Sequence, residues 1–132
     1  MARIVVFYTN PEDGDAVREL LAPILETWEE PPFYREFAGD RPGFLKYVKG
    51  SPYLTMLVVQ SGTEGKETVR LAKQTNPKAG LVWFAEENYA LDAFAFHITH
   101  FAQLPVSSGK LASALYACQL SRDGPHTSTV TV

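Results

Sequence analysis

Residues 80–107 read GLVWFAEENYALDAFAFHITHFAQLPVS, and this stretch decides the fold. It begins with a short apolar run at residues 81–85, passes through a segment of helical composition at 88–96, and continues with a second short run at 99–104. Pro105 then breaks the chain ahead of two serines that can cap a helix. The order strand, helix, strand, helix is typical of a unit in which a helix connects two parallel strands.

The rest of the chain repeats this alternation. The run RIVVFY at residues 3–8 is continuously apolar, as in a central parallel strand that is covered on both faces. Strands are predicted at residues 3–8, 33–38 (an edge strand), 54–60, 81–85 and 99–104, and helices within residues 13–28, 41–49, 66–75, 88–96 and 106–120, with 61–65 as a loop. Five such units predict an α/β fold with a doubly wound, five-stranded parallel sheet in the order 2-1-3-4-5 and helices on both faces.

Composition limits the function classes. The chain has 132 residues, 45% of them hydrophobic, which suits one domain with a sizeable core. Its net charge is −3 and no stretch clusters Lys and Arg, so we expect no nucleic acid to bind through this domain. No signal peptide and no bilayer-spanning run are visible, so we expect a cytoplasmic protein without a membrane partner. The single cysteine, Cys118, excludes an internal disulfide and is expected to be a buried thiol.

One segment resembles a known family. Residues 88–115, NYALDAFAFHITHFAQLPVSSGKLASAL, are similar to the end of a response-regulator receiver domain, particularly the LytTR-associated kind, in which a Tyr-Ala-Leu-x-Ala-Phe helix precedes a strand ending in Lys-Pro-Val. The Pro105-Val106-Ser107 turn is present, whereas Leu104 stands in place of the lysine. The resemblance covers about residues 2–120 and implies the flavodoxin-like, CheY-like form of the predicted fold.

The resemblance also implies where a phosphorylation pocket would lie. In the family, an acidic pair after the first strand holds Mg²⁺, an Asp ending the third strand accepts phosphate, and a Ser or Thr and a Lys that end the fourth and fifth strands bind phosphoryl oxygens. The corresponding positions here are Tyr8, Thr9, Val59, Phe84 or Ala85, and Leu104. Residues 57–60 contain no carboxylate, so a register error does not restore the nucleophile. The chain therefore resembles a degenerate receiver, or pseudo-receiver, without catalytic residues, and we expect neither phosphotransfer nor enzyme activity.

The helix at residues 89–96 is apolar on more than one face, which indicates either an interface or a helix buried within its own domain. In the receiver family this helix, the next strand and the last helix form the dimerisation face. The resemblance therefore implies a homodimer, or contact with another protein partner. The predicted interface residues are Tyr89, Ala93, Phe96, Leu111 and Leu115.

Polar loop residues are the candidates for a metal or cofactor site. Acidic residues lie in the loops that would surround the crevice, but such residues are usually solvated or placed at helix N-termini. They are Glu12, Asp13, Glu64, Glu86 and Glu87. His97, His100 and His126 have no completing ligand spacing for zinc. The first loop would repel a phosphate of a nucleotide or flavin, because it presents carboxylates. We therefore expect no metal and no cofactor.

The last residues, 121–132 (SRDGPHTSTVTV), differ in composition from the rest. We interpret residues 1–120 as the receiver-like domain and 121–132 as a linker or the start of a missing C-terminal output domain, through which any DNA binding would occur. Two functions remain: a phosphorylation-independent regulatory and dimerisation module of a two-component transcriptional regulator, or a flavodoxin-like small-ligand binder or enzyme that uses the crevice at the strand ends.

Overall fold

The computed structural model describes residues 2–51, 53–123 and 129–130. Its strands form one parallel sheet in the order β2-β1-β3-β4-β5-β6. They are β1 Arg3–Tyr8, β2 Phe33–Ala38, β3 Leu54–Val59, β4 Gly80–Ala85, β5 His100–Gln103 and β6 Thr129–Val130. The predicted order 2-1-3-4-5 is confirmed, and β2 is an outermost strand as expected. The short sixth strand beside β5 was not predicted.

Five helices cover the sheet on both faces, as predicted. They are α1 Pro11–Glu26, α2 Arg41–Val48, α3 Gly62–Thr75, α4 Ala90–Ala95 and α5 Ser108–Asp123. Buried side chains of α1 and α5 join one apolar layer, and those of α2, α3 and α4 join the other. No helix within the described residues is both long and apolar enough to cross a membrane.

The burial of the strands explains why the sequence pattern predicted them. All six residues of β3 and of β4 are buried, and four of the six in β1 are. Continuous apolar runs of this kind are expected where helices cover both faces of a sheet. In β2 the first four residues alternate between exposed and half-buried, and Phe37 is the one buried residue, which suits a strand at the sheet margin.

Two helices begin earlier than predicted. Helix α1 begins at Pro11, because Asn10 caps it by accepting a hydrogen bond from the backbone N–H of Glu12. Helix α3 begins at Gly62, so the predicted loop at 61–65 is wrong. The glycine at position 65, inside this helix, has a packing cause: a Cβ there would overlap the carbonyl oxygen of Gln60.

The end of the chain differs from the expectation. Helix α5 passes the predicted boundary at Leu120 and ends at Asp123, and β6 pairs with β5 through Thr129 and His100. The division into a domain at 1–120 and a linker at 121–132 stays a prediction, revised by these two elements. Residues 124–128 and 131–132 lie outside the described residues.

Candidate functional site at the carboxyl edge of the sheet

The predicted pocket positions share one edge of the sheet. Tyr8 ends β1, Val59 ends β3 and Ala85 ends β4, and Tyr8 pairs directly with Val59. Thr9 follows β1, and Leu104 follows β5. The structure therefore brings these five positions together at the carboxyl ends of the strands, where ligands bind in open α/β sheets. Their role as a degenerate phosphorylation pocket stays a prediction.

The side chains at these positions are mostly turned into the protein. Val59 is fully buried and belongs to the apolar layer beneath α1 and α5, against which Tyr8 and Leu104 also pack. Ala85 is fully buried in the opposite layer. Of the five, Thr9 is exposed and carries a hydroxyl. An apolar side chain at the end of β3 offers neither a nucleophile nor a metal ligand.

Gln60, the residue after β3, takes part in a buried hydrogen-bond network. Its backbone N–H donates to the carbonyl of Phe84, and its own carbonyl accepts from the indole N–H of Trp83. Its side-chain Oε1 accepts a 2.6 Å hydrogen bond from the hydroxyl of Thr68. In the sequence, Gln60 was considered only as the last of the positions 57–60 at which the nucleophile could fall. A polar residue at the end of an apolar run could have indicated its place in this network.

A cavity of about 340 Å³ opens beside this network, between β1, α2 and α3. Its lining combines one cation and one carboxylate with neutral groups: Phe7, Thr9, Gly39, Arg41, Pro42, Gln60 and Glu64. Nη1 of Arg41 lies 3.4 Å from the hydroxyl of Thr68 and donates to it. The cavity can offer hydrogen bonds to a small polar molecule.

Tyr8, at one of the two acidic-pair positions, packs under α1 and is hydrogen-bonded to a carboxylate of β2. Its ring packs so closely under α1 that Gly14 has no room for a Cβ, and its hydroxyl donates to Glu36 over 3.3 Å. The same carboxylate accepts from Tyr34 at 2.6 Å and from Arg18 at 2.6 and 2.9 Å. The hydrogen bonds from Arg18, above all, hold the pKa of Glu36 below its ordinary value. Burial and the hydrogen bond to Glu36 raise the pKa of the Tyr34 hydroxyl.

The acidic loop residues near the crevice divide into two groups. Burial, and after it the charges of Glu86 and Glu12, raise the pKa of Asp13 and so disfavour its charged form. Glu87, in contrast, is engaged at the start of α3, as shown below. Within the described part of the chain, no three His, Cys, Asp or Glu side chains are arranged to hold a metal ion.

The histidines are not grouped either. His97 lies in the turn after α4 with a φ of +57°, whereas His100 is buried in β5, within the strand predicted at residues 99–104. Burial lowers the pKa of His100, which favours the neutral ring. His126 lies outside the described residues.

The loop between β4 and α4 is tied to both neighbouring strands. Glu87 accepts from the backbone N–H of Gly62 at 3.1 Å, and Ser61 Oγ accepts from the N–H of Glu86 at 2.9 Å. On the other side, the side-chain amide of Gln103 donates to the carbonyl of Glu86 at 3.0 Å. The segment between the buried strand and α4 is thus anchored by its own polar groups.

A lysine that sequence reasoning did not single out lies near the end of β5. Lys110, in the first turn of α5, donates from Nζ to the carbonyls of Gln103 at 2.7 Å and Pro105 at 3.0 Å. Its ammonium group therefore stabilises the turn after β5, while Leu104 packs, half-buried, against the core. The sequence did not indicate this role for Lys110, six residues after Leu104, because the contact depends on how the turn between them folds.

Three of the five predicted interface residues are buried. Ala93, Leu111 and Leu115 face the domain core, so their side chains cannot form an exposed surface. Tyr89 stacks on Trp83 with ring centroids 5.0 Å apart, and Phe96 packs, half-buried, against the same layer. The assignment of Ala93, Leu111 and Leu115 to an interface is therefore corrected, since these side chains are part of the core. For Tyr89 and Phe96, which are partly buried, it stays a prediction.

Other apolar side chains on the same two helices are exposed. Leu91 is 86% exposed and Phe94 68%, and they lie three residues apart on one face of α4. On α5, Tyr116 is 62% exposed. Exposed apolar groups of this size on a small domain are candidates for contact with another molecule. We call Leu91 and Phe94 the apolar patch; Tyr116 lies on α5, whose buried side chains join the layer on the other face of the sheet.

The sheet order, the helices on both faces and the crevice at the strand ends define a receiver-like α/β domain. Neither a protein-family model nor a curated protein matches the chain in sequence. Solved structures match it over nearly the whole length.

Three of these solved structures illustrate the kinds of protein that share the fold. A pilus assembly protein CpaE from Caulobacter crescentus CB15 has a TM-score of 0.64 at 14% identity, covering 89% of this chain and 92% of that one. A response regulator receiver protein from Sinorhizobium medicae WSM419 has a TM-score of 0.57 at 16% identity, with coverage of 92% and 95%. An adenylate cyclase from Rhodopirellula baltica has a TM-score of 0.66 at 15% identity, with coverage of 92% and 90%. At such identities the similarity establishes the fold.

Proposed function

We propose that this chain is a receiver-like regulatory module that acts by binding other protein surfaces and is not switched by aspartyl phosphorylation. The observation that carries the proposal is at the end of β3. Val59 is buried there, and the side chain that follows is the amide of Gln60, already bound to Thr68. Only a carboxylate at this position could form an acyl phosphate.

The groups around that position also favour the proposal. A hard cation such as Mg²⁺ takes oxygen ligands, preferably carboxylates, and the acidic-pair positions hold Tyr8 and Thr9. The phenol of Tyr8 is directed to Glu36. The phosphate-binding lysine is replaced by Leu104, and the nearby ammonium of Lys110 is bound to backbone carbonyls. Nucleophile, metal ligands and phosphate-binding cation are thus all replaced.

Intact mass spectrometry tests the proposal directly. The chain is incubated with acetyl phosphate and Mg²⁺, alongside a phosphorylation-competent receiver domain as the positive control. We expect the control to gain a phosphoryl group and this chain to keep its mass. A phosphoryl adduct that hydroxylamine removes would overturn the proposal, because this reagent cleaves acyl phosphates.

Regulation without phosphorylation requires a partner whose binding favours one state. We propose a second copy of this chain as that partner, bound through the outward faces of α4 and α5, with the apolar patch at the contact. The edge of β5 between these helices is paired with β6. In this proposal the module is cytoplasmic and governs an output domain outside this chain, of the LytTR type, which carries the DNA-binding and transcriptional role. The similarity of residues 88–115 to LytTR-associated receivers supports this part.

The cavity of about 340 Å³ favours a second candidate function, small-ligand binding. Arg41, Gln60 and Thr9 supply hydrogen-bonding groups there, as a polar metabolite requires. Thermal unfolding in the presence of candidate metabolites tests it. A rise in melting temperature that disappears in Arg41→Ala would support this candidate, and an unchanged melting temperature would count against it.

A further inference from the structure

A second surface lies at the opposite margin of the sheet from α4. On the face of β2 that packs toward α2, Phe33, Arg35 and Phe37 follow one another at every second residue. Two cavities open along this row. One, of about 440 Å³, is lined by Arg3, Phe33, Tyr47, Lys49, Gly50, Ser51 and Tyr53. The other, of about 410 Å³, is lined by Arg35, Phe37, Asp40, Gly43, Lys46 and Tyr47. We call these lining residues the β2–α2 groove.

Tyr47 belongs to both cavities, so the two are adjacent parts of one surface. Aromatic side chains in this groove are unusually open to solvent. Phe33 is 57% exposed and Tyr53 58%, and these are two of the five large exposed hydrophobic side chains within the described residues. Exposed aromatic rings beside cavities are common where a partner side chain is received.

The charge of the groove is opposite to that of the chain. Its lining contains four cations, Arg3, Arg35, Lys46 and Lys49, and one carboxylate, Asp40. That carboxylate is engaged, since it caps α2 by accepting from the N–H of Gly43 at 3.0 Å. The chain as a whole carries a net charge of −3. Among the described residues, none of the four cations takes part in an ion pair.

The two arginines among these cations lie against aromatic rings. The guanidinium of Arg35 lies 4.8 Å from the ring centroid of Phe37 and 4.9 Å from that of Tyr47. Arg3 lies 5.9 Å from the ring centroid of Phe33. Contacts of this kind fix the side chain without neutralising its charge. Less conformational entropy is then lost when an anion binds.

The geometry of β2 indicates the shape of the partner. Because β2 is an outermost strand, one row of its backbone N–H and C=O groups faces away from the sheet. An extended segment can pair with such an edge while its alternate side chains enter pockets on one face. The cations and the two cavities lie along that face.

We propose that the β2–α2 groove binds an extended acidic segment of a partner protein, whose carboxylates contact Arg35 and the neighbouring cations and whose apolar side chains enter the cavities beside Tyr47. A nucleic acid is a poorer fit, because its backbone would extend beyond four cations onto a domain of negative net charge. This inference is independent of the proposed function, since it concerns the β2 margin rather than α4 and α5.

Fluorescence anisotropy on the full chain tests the proposal. The probe is a short fluorescein-labelled peptide of alternating glutamate and valine, and the matched peptide has lysine in place of glutamate. We expect the acidic peptide to bind, with an affinity that falls as salt is added, and the lysine peptide not to bind. Arg35→Glu should weaken binding at least about tenfold, because a charge-assisted hydrogen bond is replaced by repulsion.

Control variants separate the groove from net charge and from unfolding. Lys78→Glu changes the charge equally at an exposed lysine that lines neither cavity, and it should leave affinity unchanged. Lys49→Glu, at an exposed position, serves as a second groove variant if Arg35→Glu loses its circular dichroism spectrum. Amide chemical shifts should change at Phe33, Arg35 and Tyr47 on adding the acidic peptide.

Four outcomes would overturn the proposal. They are no anisotropy change with the acidic peptide, equal binding of both peptides, chemical-shift changes confined to the other sheet margin, and tighter binding of a single-stranded thymidine oligonucleotide than of the acidic peptide. The last outcome would assign the groove to nucleic acid instead.

Discussion

The carboxylate of Glu87 accepts a 3.1 Å hydrogen bond from the backbone N–H of Gly62 and so joins the loop after β4 to the first residue of α3. The first N–H groups of a helix have no partner within the helix, and they carry partial positive charge. A carboxylate from another loop satisfies one of them here. Gly62 itself has a φ of +74°, a conformation that residues with a side chain disfavour.

Replacing Glu87 with Ala should lower the free energy of unfolding by about 0.5–1 kcal/mol, because the donor at the start of α3 loses its charged acceptor. Urea denaturation measures the change. Glu87→Gln should lose less, since the amide oxygen can still accept. Glu29→Ala, at an exposed glutamate in the connection after α1, is the control and should be neutral. Equal stability of Glu87→Ala and the parent chain would show that water replaces the carboxylate without loss.

A matched pair of glycine substitutions tests the packing of α3 against β3. Gly65→Ala should destabilise the protein by on the order of 2 kcal/mol or more, because the new Cβ would overlap the backbone carbonyl of Gln60, which cannot move freely. Gly109→Ala, in α5, meets no atom within 4 Å and should be neutral or stabilising by up to about 1 kcal/mol. Thermal and urea unfolding of both variants provide the comparison. Similar stability of the two variants would contradict the close approach at Gly65.

The residues that could be predicted from the sequence are those whose environment is set by local pattern. The strands β1, β3 and β4 could be predicted from their apolar runs, because a strand buried on both faces is built almost entirely of apolar residues. The hydrogen bond from Gly62 to Glu87 could not be predicted from local sequence, because it joins positions 25 residues apart. Gly65 was misread for a different reason: the group that leaves no room for a Cβ is the backbone carbonyl of Gln60, which is near in sequence but approaches only in the folded connection from β3 to α3.

The outward face of α4 shows a second limit of sequence reasoning. The helix has six residues, fewer than two turns, and nearly all of them are apolar, so periodicity cannot fix which face is buried. Contact with the core selects Ala93 for the inside and leaves Leu91 and Phe94 outside. Likewise, Tyr8 could be placed at the end of β1 from the sequence, but its hydrogen bond to Glu36 depends on the pairing of β1 with β2.

Acid titration should reveal the contribution of Glu36. Its pKa is lower in the folded chain than the ordinary 4.5, chiefly because Arg18 donates to it. The folded state therefore holds this proton less tightly than the unfolded state, so the stabilisation is fully present above the ordinary pKa and is lost as the pH falls through the folded pKa. Glu36→Gln should be less stable than the parent chain at neutral pH and should lose less stability on acidification.

Urea unfolding at a series of pH values from neutral to below the ordinary pKa of a glutamate measures this difference. Glu30→Gln, at an exposed glutamate before β2, is the matched control and should keep the acid dependence of the parent chain. Parallel pH profiles for Glu36→Gln and the parent chain would show that the hydrogen bonds of Arg18, Tyr34 and Tyr8 to Glu36 do not couple its ionisation to folding.

The apolar patch gives the prediction on self-association. If α4 and α5 form the contact between two copies, replacing Leu91 or Phe94 with Glu places a charge in a desolvated interface and should weaken dimerisation at least about tenfold. Sedimentation velocity over a range of protein concentrations measures this. Because both side chains are exposed in the single chain, the variants should retain the melting temperature of the parent.

Tyr53→Glu supplies the matched control for that experiment, because it introduces the same charge at an exposed aromatic side chain on the β2 side of the sheet. It should leave dimerisation unchanged if the contact lies at α4. A parent chain that stays monomeric at high concentration would refute the homodimer, since Leu91 and Phe94 would then remain exposed to water. If Tyr53→Glu and Phe94→Glu weakened dimerisation equally, the contact would not lie at α4. The added charges would then act through net repulsion between the two copies and not through a local interface.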